Sequence, residues 1–398
     1  MQNHTNSKLT KRILLLRTFA VWTLVSLILQ FGLYFFLNNA AARIMSVPQI
    51  PAGQPPVYYL EADLPDSNPE NIQISYTKDY LAYMADGVFK VFNLKQNKPV
   101  FSKGPVSPEE KGLGVLNYQW LPDRNTLIYF YAKKNPNPYS IVLVPRSAPA
   151  QEELERVTVY TPQLTYLYTL ELPDSNEDIS PVDRENITIS NFPAEGKVKQ
   201  IATSTYTNLI YVLIETNSAP TLMEIDVMYN VRFLQQAGET ILDFAASDQL
   251  GTLFVQNQRA GNKHILAVEG EQRTPIAVNN NYIILGSCSN NLYIGEVIHN
   301  RLTQIFVCND SPKLDKDDKY KLSSFWQGEI PFTEGQVGID SQGKIVIYEA
   351  NRAYIITEGG LKTKTIEGDN NFLSPDGAAL IKLTKRPNGA GVQIIPLS

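Results

Sequence analysis

The sequence predicts an all-β body that follows a single apolar helix at the N-terminus, and three observations support this prediction. An uncharged run of 20 residues begins at Thr18 and ends at Leu37. After Pro56, short alternating runs rich in Tyr, Val, Ile and Leu are bounded by Gly, Pro, Asn and Asp, which is typical of strands. These runs group into units of four, which indicates a repeated sheet.

The composition limits what kind of partner the body can have. The 398 residues are 43% hydrophobic and 19% charged, which excludes a disordered chain. Residues 1–43 contain five basic residues and no acidic one, so the rest has 30 basic against 40 acidic residues. This acidic body argues against nucleic acid as a partner, because phosphate binding needs a basic footprint. Two Cys and three His exclude a Cys-rich zinc scaffold, and we predict no cofactor.

The N-terminal region reads as a membrane anchor. We predict a basic cytoplasmic tail at 1–17, a transmembrane helix at 18–37 and a Pro-rich linker at 38–56. Twenty helical residues span roughly 30 Å, the thickness of the hydrocarbon core. Four basic residues precede the helix and only Arg43 follows it closely, so the N-terminus is expected in the cytoplasm and the body outside it, at the cell membrane.

A cleaved signal peptide is the alternative interpretation of this region. Ala40, Ala41 and Ala42 resemble a small-residue cleavage site. The apolar run is longer than the usual signal-peptide core of about 7–15 residues, which favours a retained anchor.

An internal repeat suggests how the body closes. The motif Leu-Pro-Asp-Ser-Asn occupies 64–68 and 172–176, and both copies follow a Tyr-rich strand and precede a Glu-Asn-Ile segment. Because the second copy follows the last strand of a unit, the strand at 57–62 is expected to take the place of a unit's last strand.

Four-strand units then account for the body at 57–398. In chain order they cover 71–103, 115–171, 197–237, 241–279, a fifth from residue 281 to about 326, 335–367, and a last unit of three strands over 370–397. Seven units, the last completed by the strand at 57–62, predict a closed seven-bladed β-propeller, which leaves only short protected edges. Six or eight blades are the alternatives if one irregular unit, the fifth above all, is misread.

Two segments resemble a known repeat. Trp120–Phe130 (WLPDRNTLIYF) and Leu373–Ile381 (LSPDGAALI) are similar to the Trp-Ser-Pro-Asp-Gly core of WD40-like, TolB-type propeller repeats, and Asp340–Ile347 is a weaker copy. The Pro-Asp-Gly element forms the turn between the first two strands of a blade. The resemblance implies blade architecture, not an activity: such propellers commonly bind proteins, and some precede or contain enzymes.

The sequence shows no catalytic, cofactor-binding or metal-binding set. His4, His264 and His299 lie near no nucleophile, and no nucleophile elbow, Walker loop, dinucleotide glycine pattern or HExxH motif occurs. Acidic residues interleaved with Lys at Asp310, Asp315, Asp317 and Asp318 lack the calcium-loop spacing and indicate a solvated insertion.

Two further segments are noted without a named ligand. Glu177, Asp178, Asp183 and Glu185 form an acidic stretch that we place in the loop between the second and third units. Residues 146–163 form the longest insertion inside a unit, with a helical turn at 152–156, and are as consistent with a tolerated surface loop as with a functional one.

Cys288 and Cys308 are candidates for a disulfide. They bracket a hairpin centred on His299 and Asn300, in which Asn291 faces Cys308. A bridge is permitted outside the cytoplasm, but this register puts the pair about three residues out of line, and the question stays open.

Together these features predict a non-catalytic, membrane-anchored extracytoplasmic propeller. We expect it to act as a protein-interaction scaffold or sensor on envelope or membrane proteins, because no catalytic set is visible. The alternatives are an extracytoplasmic hydrolase or lyase, or a propeller that binds a polysaccharide or small ligand, with the site at the channel mouth. Carboxylates or a Ser/Asp/Lys cluster there would favour an enzyme.

Overall fold

The computed structural model describes 22–23, 26–27, 30 and 57–398, except for 108–111, 146–153, 190–191, 194, 217–218, 312–318, 334, 369 and 398. The chain divides into two units, 1–54 and 55–398.

In the first unit, the described residues are helical. Within the part of the chain that the structure describes, no helix has both the length and the apolar character needed to cross a membrane. The predicted tail at 1–17, most of the predicted helix at 18–37 and the predicted linker at 38–56 lie outside the described residues, apart from residues 22–23, 26–27 and 30. These assignments stay predictions.

In the second unit, the described residues form seven four-stranded antiparallel sheets and one two-stranded sheet. We call the seven sheets blades and number them along the chain. The first three blades follow strand β1 Leu60–Leu64: blade 1 has β2 Glu70–Ile74, β3 Tyr80–Ala85, β4 Val88–Asn93 and β5 Lys98–Lys103; blade 2 has β6 Gly114–Trp120, β7 Thr126–Lys134, β10 Gln163–Glu171 and β11 Val182–Thr188, while β8 Tyr139–Pro145 and β9 Leu154–Tyr160 form the two-stranded sheet; and blade 3 has β12 Lys197–Ser204, β13 Leu209–Glu215, β14 Thr221–Ile225 and β15 Val231–Phe233.

The next two blades are blade 4, with β16 Thr240–Ala246, β17 Leu253–Arg259, β18 Asn262–Glu269 and β19 Gln272–Val278, and blade 5, with β20 Tyr282–Cys288, β21 Asn291–Ile298, β22 Arg301–Asn309 and β23 Ser323–Pro331. The last two are blade 6, with β24 Gln336–Ile339, β25 Ile345–Glu349, β26 Arg352–Thr357 and β27 Gly360–Thr365, and blade 7, with β28 Asn371–Leu373, β29 Ala379–Arg386 and β30 Gly389–Pro396.

The N-terminal strand completes the last blade, which confirms the predicted closure. β1 pairs with β30 in an antiparallel register from Leu60 opposite Ile394 to Leu64 opposite Ala390. The guanidinium of Arg386 reinforces the junction by donating to the Asp63 carboxylate. The propeller therefore has seven blades, as predicted.

The core consists of seven clusters, and each lies between two adjacent blades. The cluster between blades 7 and 1 is built around Leu81, Tyr83 and Ile394, which are fully buried. Because the middle strands of a blade pack on both faces, they are continuous apolar runs, as in β13. Outer strands such as β27 are polar and exposed.

Turn residues fix the hairpins that the sequence predicts. Asp86 and Gly87 both have positive φ, of 50° and 75°, which a two-residue type I′ turn requires and which Gly adopts without strain. The WD40-like segments lie where the resemblance implies: Pro122-Asp123 joins β6 to β7, and Ser374–Gly377 joins β28 to β29. Trp120 is buried, and its indole N–H donates to the Gln73 carbonyl of blade 1 at 3.3 Å.

The second blade, not the fifth, is the irregular one, and its predicted third strand is wrong. β7 pairs directly with β10, and β11 is the outer strand. The predicted third strand at 139–145 is instead β8, which pairs with β9 outside the blade. The predicted helical turn at 152–156 is wrong where it is described, because Leu154–Arg156 begin β9.

The two Leu-Pro-Asp-Ser-Asn copies are not structurally equivalent. The copy at 64–68 joins an outer strand to the first strand of blade 1, whereas the copy at 172–176 joins β10 to β11 within blade 2. The predicted closure by β1 is confirmed, but it does not follow from the repeat. It follows from blade 7, which has only three strands without β1.

Candidate binding surface on the second blade

A two-stranded ribbon, β8 with β9, extends from the second blade. It continues the β7–β10 hairpin, since the Asn135 N–H donates to the Pro162 carbonyl at 2.9 Å and the Thr161 N–H donates to the Pro138 carbonyl at 2.7 Å. Strand direction reverses at each turn of a blade, so this extension lies on the same face as the connections between blades. The first strand, β1, begins at the opposite face.

The ribbon exposes apolar side chains on both of its faces. Tyr139, Ile141 and Leu143 alternate along β8 on one face and are 69%, 67% and 54% exposed. Val142, Val157 and Val159 are exposed on the other face. A two-stranded sheet with no covered face is marginally stable in water, so these side chains favour a binding partner.

Below the ribbon, a lysine lies among tyrosine rings at the junction of blades 1 and 2. The Lys103 ammonium is 3.5 Å from the Tyr168 ring centroid and 5.0 Å from that of Tyr129. It donates to Asp183 at 2.7 Å, and the Tyr129 hydroxyl donates to the same carboxylate at 2.5 Å. Burial, helped by Asp183, raises the pKa of Tyr129. These groups satisfy one another, so the cluster stiffens the middle of the β7–β10 pair, from which the ribbon extends.

The predicted acidic stretch belongs to blade 2 rather than to the junction with blade 3. The loop at 172–181 joins β10 to β11, and Asp183 and Glu185 lie on β11. Glu185 accepts a hydrogen bond from the Tyr168 hydroxyl.

This loop is fixed onto blade 1. The Ser175 hydroxyl donates to Asp79 at 2.7 Å, where both side chains are buried, and Lys98 pairs with Asp178 at 2.8 Å. A shallow cleft of about 330 Å³ lies between the loop and β5. In its lining Lys98 and Asp178 are paired with each other, and with the buried Ser175–Asp79 contact they make the loop a structural clamp.

The other acidic insertion is described only at one end. Asp310 is fully buried, and it accepts a hydrogen bond from the Tyr320 hydroxyl at 2.8 Å and lies 3.4 Å from the Lys319 ammonium. Asp315, Asp317 and Asp318 lie outside the described residues. Across the residues that the structure does describe, no three His, Cys, Asp or Glu side chains are placed to hold a metal ion.

The histidines do not form a site. His264 is half-buried in β18 opposite Asn257, and His299 occupies the β21–β22 turn with a φ of 50°. His4 lies outside the described residues.

Amide side chains near the central axis hydrogen-bond across blade junctions. Gln73 donates to the Tyr118 carbonyl at 2.9 Å, and Asn117 donates to the Val198 carbonyl at 2.9 Å. The Gln200 amide donates to Asp243 at 2.8 Å. Burial raises the pKa of Asp243, but no second carboxylate accompanies it in these contacts. These described polar groups hold neighbouring blades together.

The two candidate cysteines point to opposite faces of blade 5. Cys288 faces Asn291 and packs in the core between blades 5 and 6, whereas Cys308 faces Leu292 and packs between blades 4 and 5. Both thiols are free, and the expected Asn291–Cys308 pairing is wrong by one residue because a bulge at Glu296 and Val297 shifts the register. Their side chains cannot meet without rebuilding the sheet.

We therefore expect two free thiols in the purified chain. Burial raises the pKa of Cys308 to about 12 and raises that of Cys288, so both should react slowly with iodoacetamide in the native state at pH 8. After unfolding without reductant, intact mass should show two added groups. An unshifted mass would show that the cysteines are bridged.

Sequence reasoning did not find the ribbon, although it flagged the insertion that contains its end. The signal available was the presence of two consecutive apolar strands, 139–145 and 154–160, where the other blades have one short turn.

Comparisons with known proteins find only distant structural similarities. No protein-family model matches the sequence, and no curated protein matches it. Among solved structures, the chain is similar to the WD40 domain of SCAP from fission yeast, at 12% identity over 85% of this chain and 96% of that one, with a TM-score of 0.40. It is also similar to TolB from Acinetobacter baumannii (10% identity, 88% of this chain and 86% of that one, TM-score 0.37) and to an oligogalacturonate lyase in complex with manganese (11% identity, 84% and 78%, TM-score 0.36). The seven four-stranded blades themselves confirm that the resemblance to WD40-like and TolB-type propellers holds at the level of the fold.

Proposed function

We propose that this chain is a non-catalytic protein-interaction scaffold that binds a partner protein through the faces of the β8–β9 ribbon. The exposed apolar side chains on both faces of the ribbon are the observation that supports it. The envelope location belongs to the proposal as well: an anchor at 18–37, a body outside the cytoplasm, and an envelope or membrane protein as partner. The uncharged run and the four basic residues before it support that location.

The position of the ribbon suits a role in binding. The first strand of the propeller, β1, begins at the face opposite to the ribbon. The β7–β10 pair from which the ribbon extends is held against blade 1 by Lys103, Asp183 and the surrounding tyrosine rings. A binding element on a stiff base loses less conformational freedom when its partner binds.

Deletion of the ribbon tests the proposal. Replacing residues 135–162 by Asn-Gly would close Lys134 and Gln163, which face each other, with a two-residue turn. We expect this full-length variant to keep its fold, because the ribbon contributes to none of the seven interblade cores, and to lose its partner in in-cell crosslinking and mass spectrometry.

Point variants separate lost contacts from lost structure. The double substitution Val157→Thr with Val159→Thr, on β9, should weaken partner recovery at least tenfold, since two exposed apolar side chains are removed while strand propensity is kept. The matched control is Val227→Thr with Met228→Ser, which removes two exposed apolar side chains from the turn after β14. Equal recovery from the ribbon variant and the unsubstituted chain would contradict the proposal.

A further inference from the structure

We propose that two copies of this chain associate through the free edge of β8, which pairs antiparallel with its own copy across a two-fold axis. The product is a four-stranded sheet in the order β9, β8, β8 and β9. This goes beyond the proposed function, because the partner contacts the faces of the ribbon and the second copy contacts its edge.

The edge of β8 is open. β8 pairs with β9 on one side, and no strand among the described residues lies on its other side. Half of its backbone N–H and C=O groups therefore point away from β9, which makes the edge a template for another strand.

The other outer strands of the propeller are protected against such pairing, and β8 is not. Each described outer strand of a blade contains a charged residue, which discourages edge-to-edge association. These residues include Glu61 in β1, Lys98 in β5, Arg184 in β11, Arg232 in β15, Glu329 in β23 and Lys362 in β27; in β19 the charge of Arg273 is paired with Glu239, and the exposed Pro275 interrupts the ladder instead. β8 (YSIVLVP) has no charged residue, and its single Pro is its last residue. The ribbon's other strand, β9, contains Arg156.

β8 is complementary to itself. In an antiparallel pair centred on Val142, Val142 faces its own copy and Ile141 faces Leu143 of the other chain, so apolar side chains oppose each other and no like charges meet. Such an isologous contact closes after two copies and does not form filaments. The interface is one short strand pair, below about 1,200 Å², so we expect reversible association in the micromolar range.

A cysteine scan tests the pairing and its register. Full-length chains in mild detergent carry Cys in turn at 140, 141, 142 and 143, and are oxidised with copper phenanthroline. On the symmetry axis a residue faces itself within disulfide range, so Val142→Cys should form a covalent dimer at least tenfold faster than its neighbours. The unsubstituted chain, whose own thiols are buried or half-buried, is the control. A maximum at one neighbouring position would correct the register; equal rates at all four, or none, would overturn the proposal.

An edge-blocking variant gives an independent readout. Ile141→Lys places a charge on the edge strand and should convert a dimer at about 50 µM into a monomer, as measured by light scattering. Val278→Lys, which replaces a 60% exposed apolar residue in the outer strand β19, should leave the dimer intact. If the unsubstituted chain is monomeric and the β8 cysteines crosslink to a different protein in cells, the edge belongs to a partner strand and the second copy is refuted. The β9 variant Val157→Thr with Val159→Thr leaves the β8 edge unchanged, so its partner recovery tests the ribbon faces separately from the dimer.

Discussion

Arg273→Met is expected to lower the free energy of unfolding by about 3–5 kcal/mol, because it leaves a buried carboxylate without its cation. The guanidinium of Arg273 holds both oxygens of Glu239, at 2.8 and 2.9 Å. The side chains are only 13% and 2% exposed. Arg273 lies on the outer strand β19 and Glu239 in the connection between blades 3 and 4, so the pair ties this connection to the outer strand of blade 4.

The neighbours of Glu239 explain why the pair is sensitive. The Asn257 amide and the Gln236 N–H also donate to this carboxylate, both at 2.6 Å. Burial alone would raise the pKa of Glu239, but Arg273 and these donors outweigh it and hold the pKa below its usual value. The carboxylate thus contributes stability above the unfolded-state pKa, and this contribution is lost as the pH falls through the lower folded-state pKa.

In Arg273→Met, the contribution of Glu239 to stability should depend on pH in the opposite direction. Without Arg273, burial is expected to raise the pKa of Glu239 above its unfolded value, so protonation relieves the unpaired charge. The decrease in the free energy of unfolding that Arg273→Met causes, as measured by urea unfolding, should be largest near pH 7 and smaller near pH 4.5.

Two controls distinguish the pair from a generic arginine effect. Arg301→Met removes a cation from an exposed pair with Glu329 and should cost below about 1 kcal/mol. Adding Glu239→Leu to Arg273→Met should recover part of the loss, because no unpaired charge is then buried. An Arg273→Met loss no greater than that of Arg301→Met would contradict the argument.

Six blades could be predicted because their signals are local. In β3 and β4, alternating apolar residues flank Asp86-Gly87. This turn fixes the pairing of two strands that lie within about ten residues of each other in the sequence. The closing strand was also predictable, since blade 7 has three strands of its own and an open edge must be paired.

The second blade could not be predicted because the burial of a strand depends on strands that are distant in the sequence. β8 is as apolar as a core strand, and nothing within 139–145 says that it is exposed. Its place is decided by the pairing of Lys134 with Gln163, which joins β7 to β10 and excludes β8 from the blade. The candidate surface was missed for the same reason: an apolar strand was assigned to the core, where such strands usually lie.

The second large effect is expected at the junction where the ring closes, between Lys78 of blade 1 and Asp376 of blade 7. The Lys78 ammonium lies 2.6 Å from Asp376 Oδ2, and the side chains are 5% and 23% exposed. The other oxygen of Asp376 accepts hydrogen bonds from the Ser374 hydroxyl and the Ala378 N–H, which hold the Ser-Pro-Asp-Gly turn. Two residues 298 positions apart thus link the first and last blades through a turn that the sequence predicted for local reasons.

Asp376→Asn should cost about 3 kcal/mol, more than Lys78→Met, because it leaves the more deeply buried partner as an unpaired charge. Burial tends to raise the pKa of Asp376, but Lys78 lowers it more, so this contribution to stability is present above the unfolded-state pKa and lost as the pH falls through the folded one. Urea unfolding of the two variants measures which one loses more free energy of unfolding. In Asp376→Asn, hydrogen exchange should become faster first at the β1–β30 pair and in β2.

Lys344→Met is the matched control for closure. Lys344 pairs with Asp340 at 3.4 Å in the turn between β24 and β25 of blade 6, so the pair lies within one blade and joins no chain ends. Its loss leaves the 7% exposed Asp340 carboxylate without its cation and should destabilise blade 6, but it should leave exchange at the β1–β30 pair unchanged. If Lys344→Met and Asp376→Asn loosen that pair equally, the ring is closed by the β1–β30 backbone pairing and its packing alone, and the buried ion pair only shapes the turn.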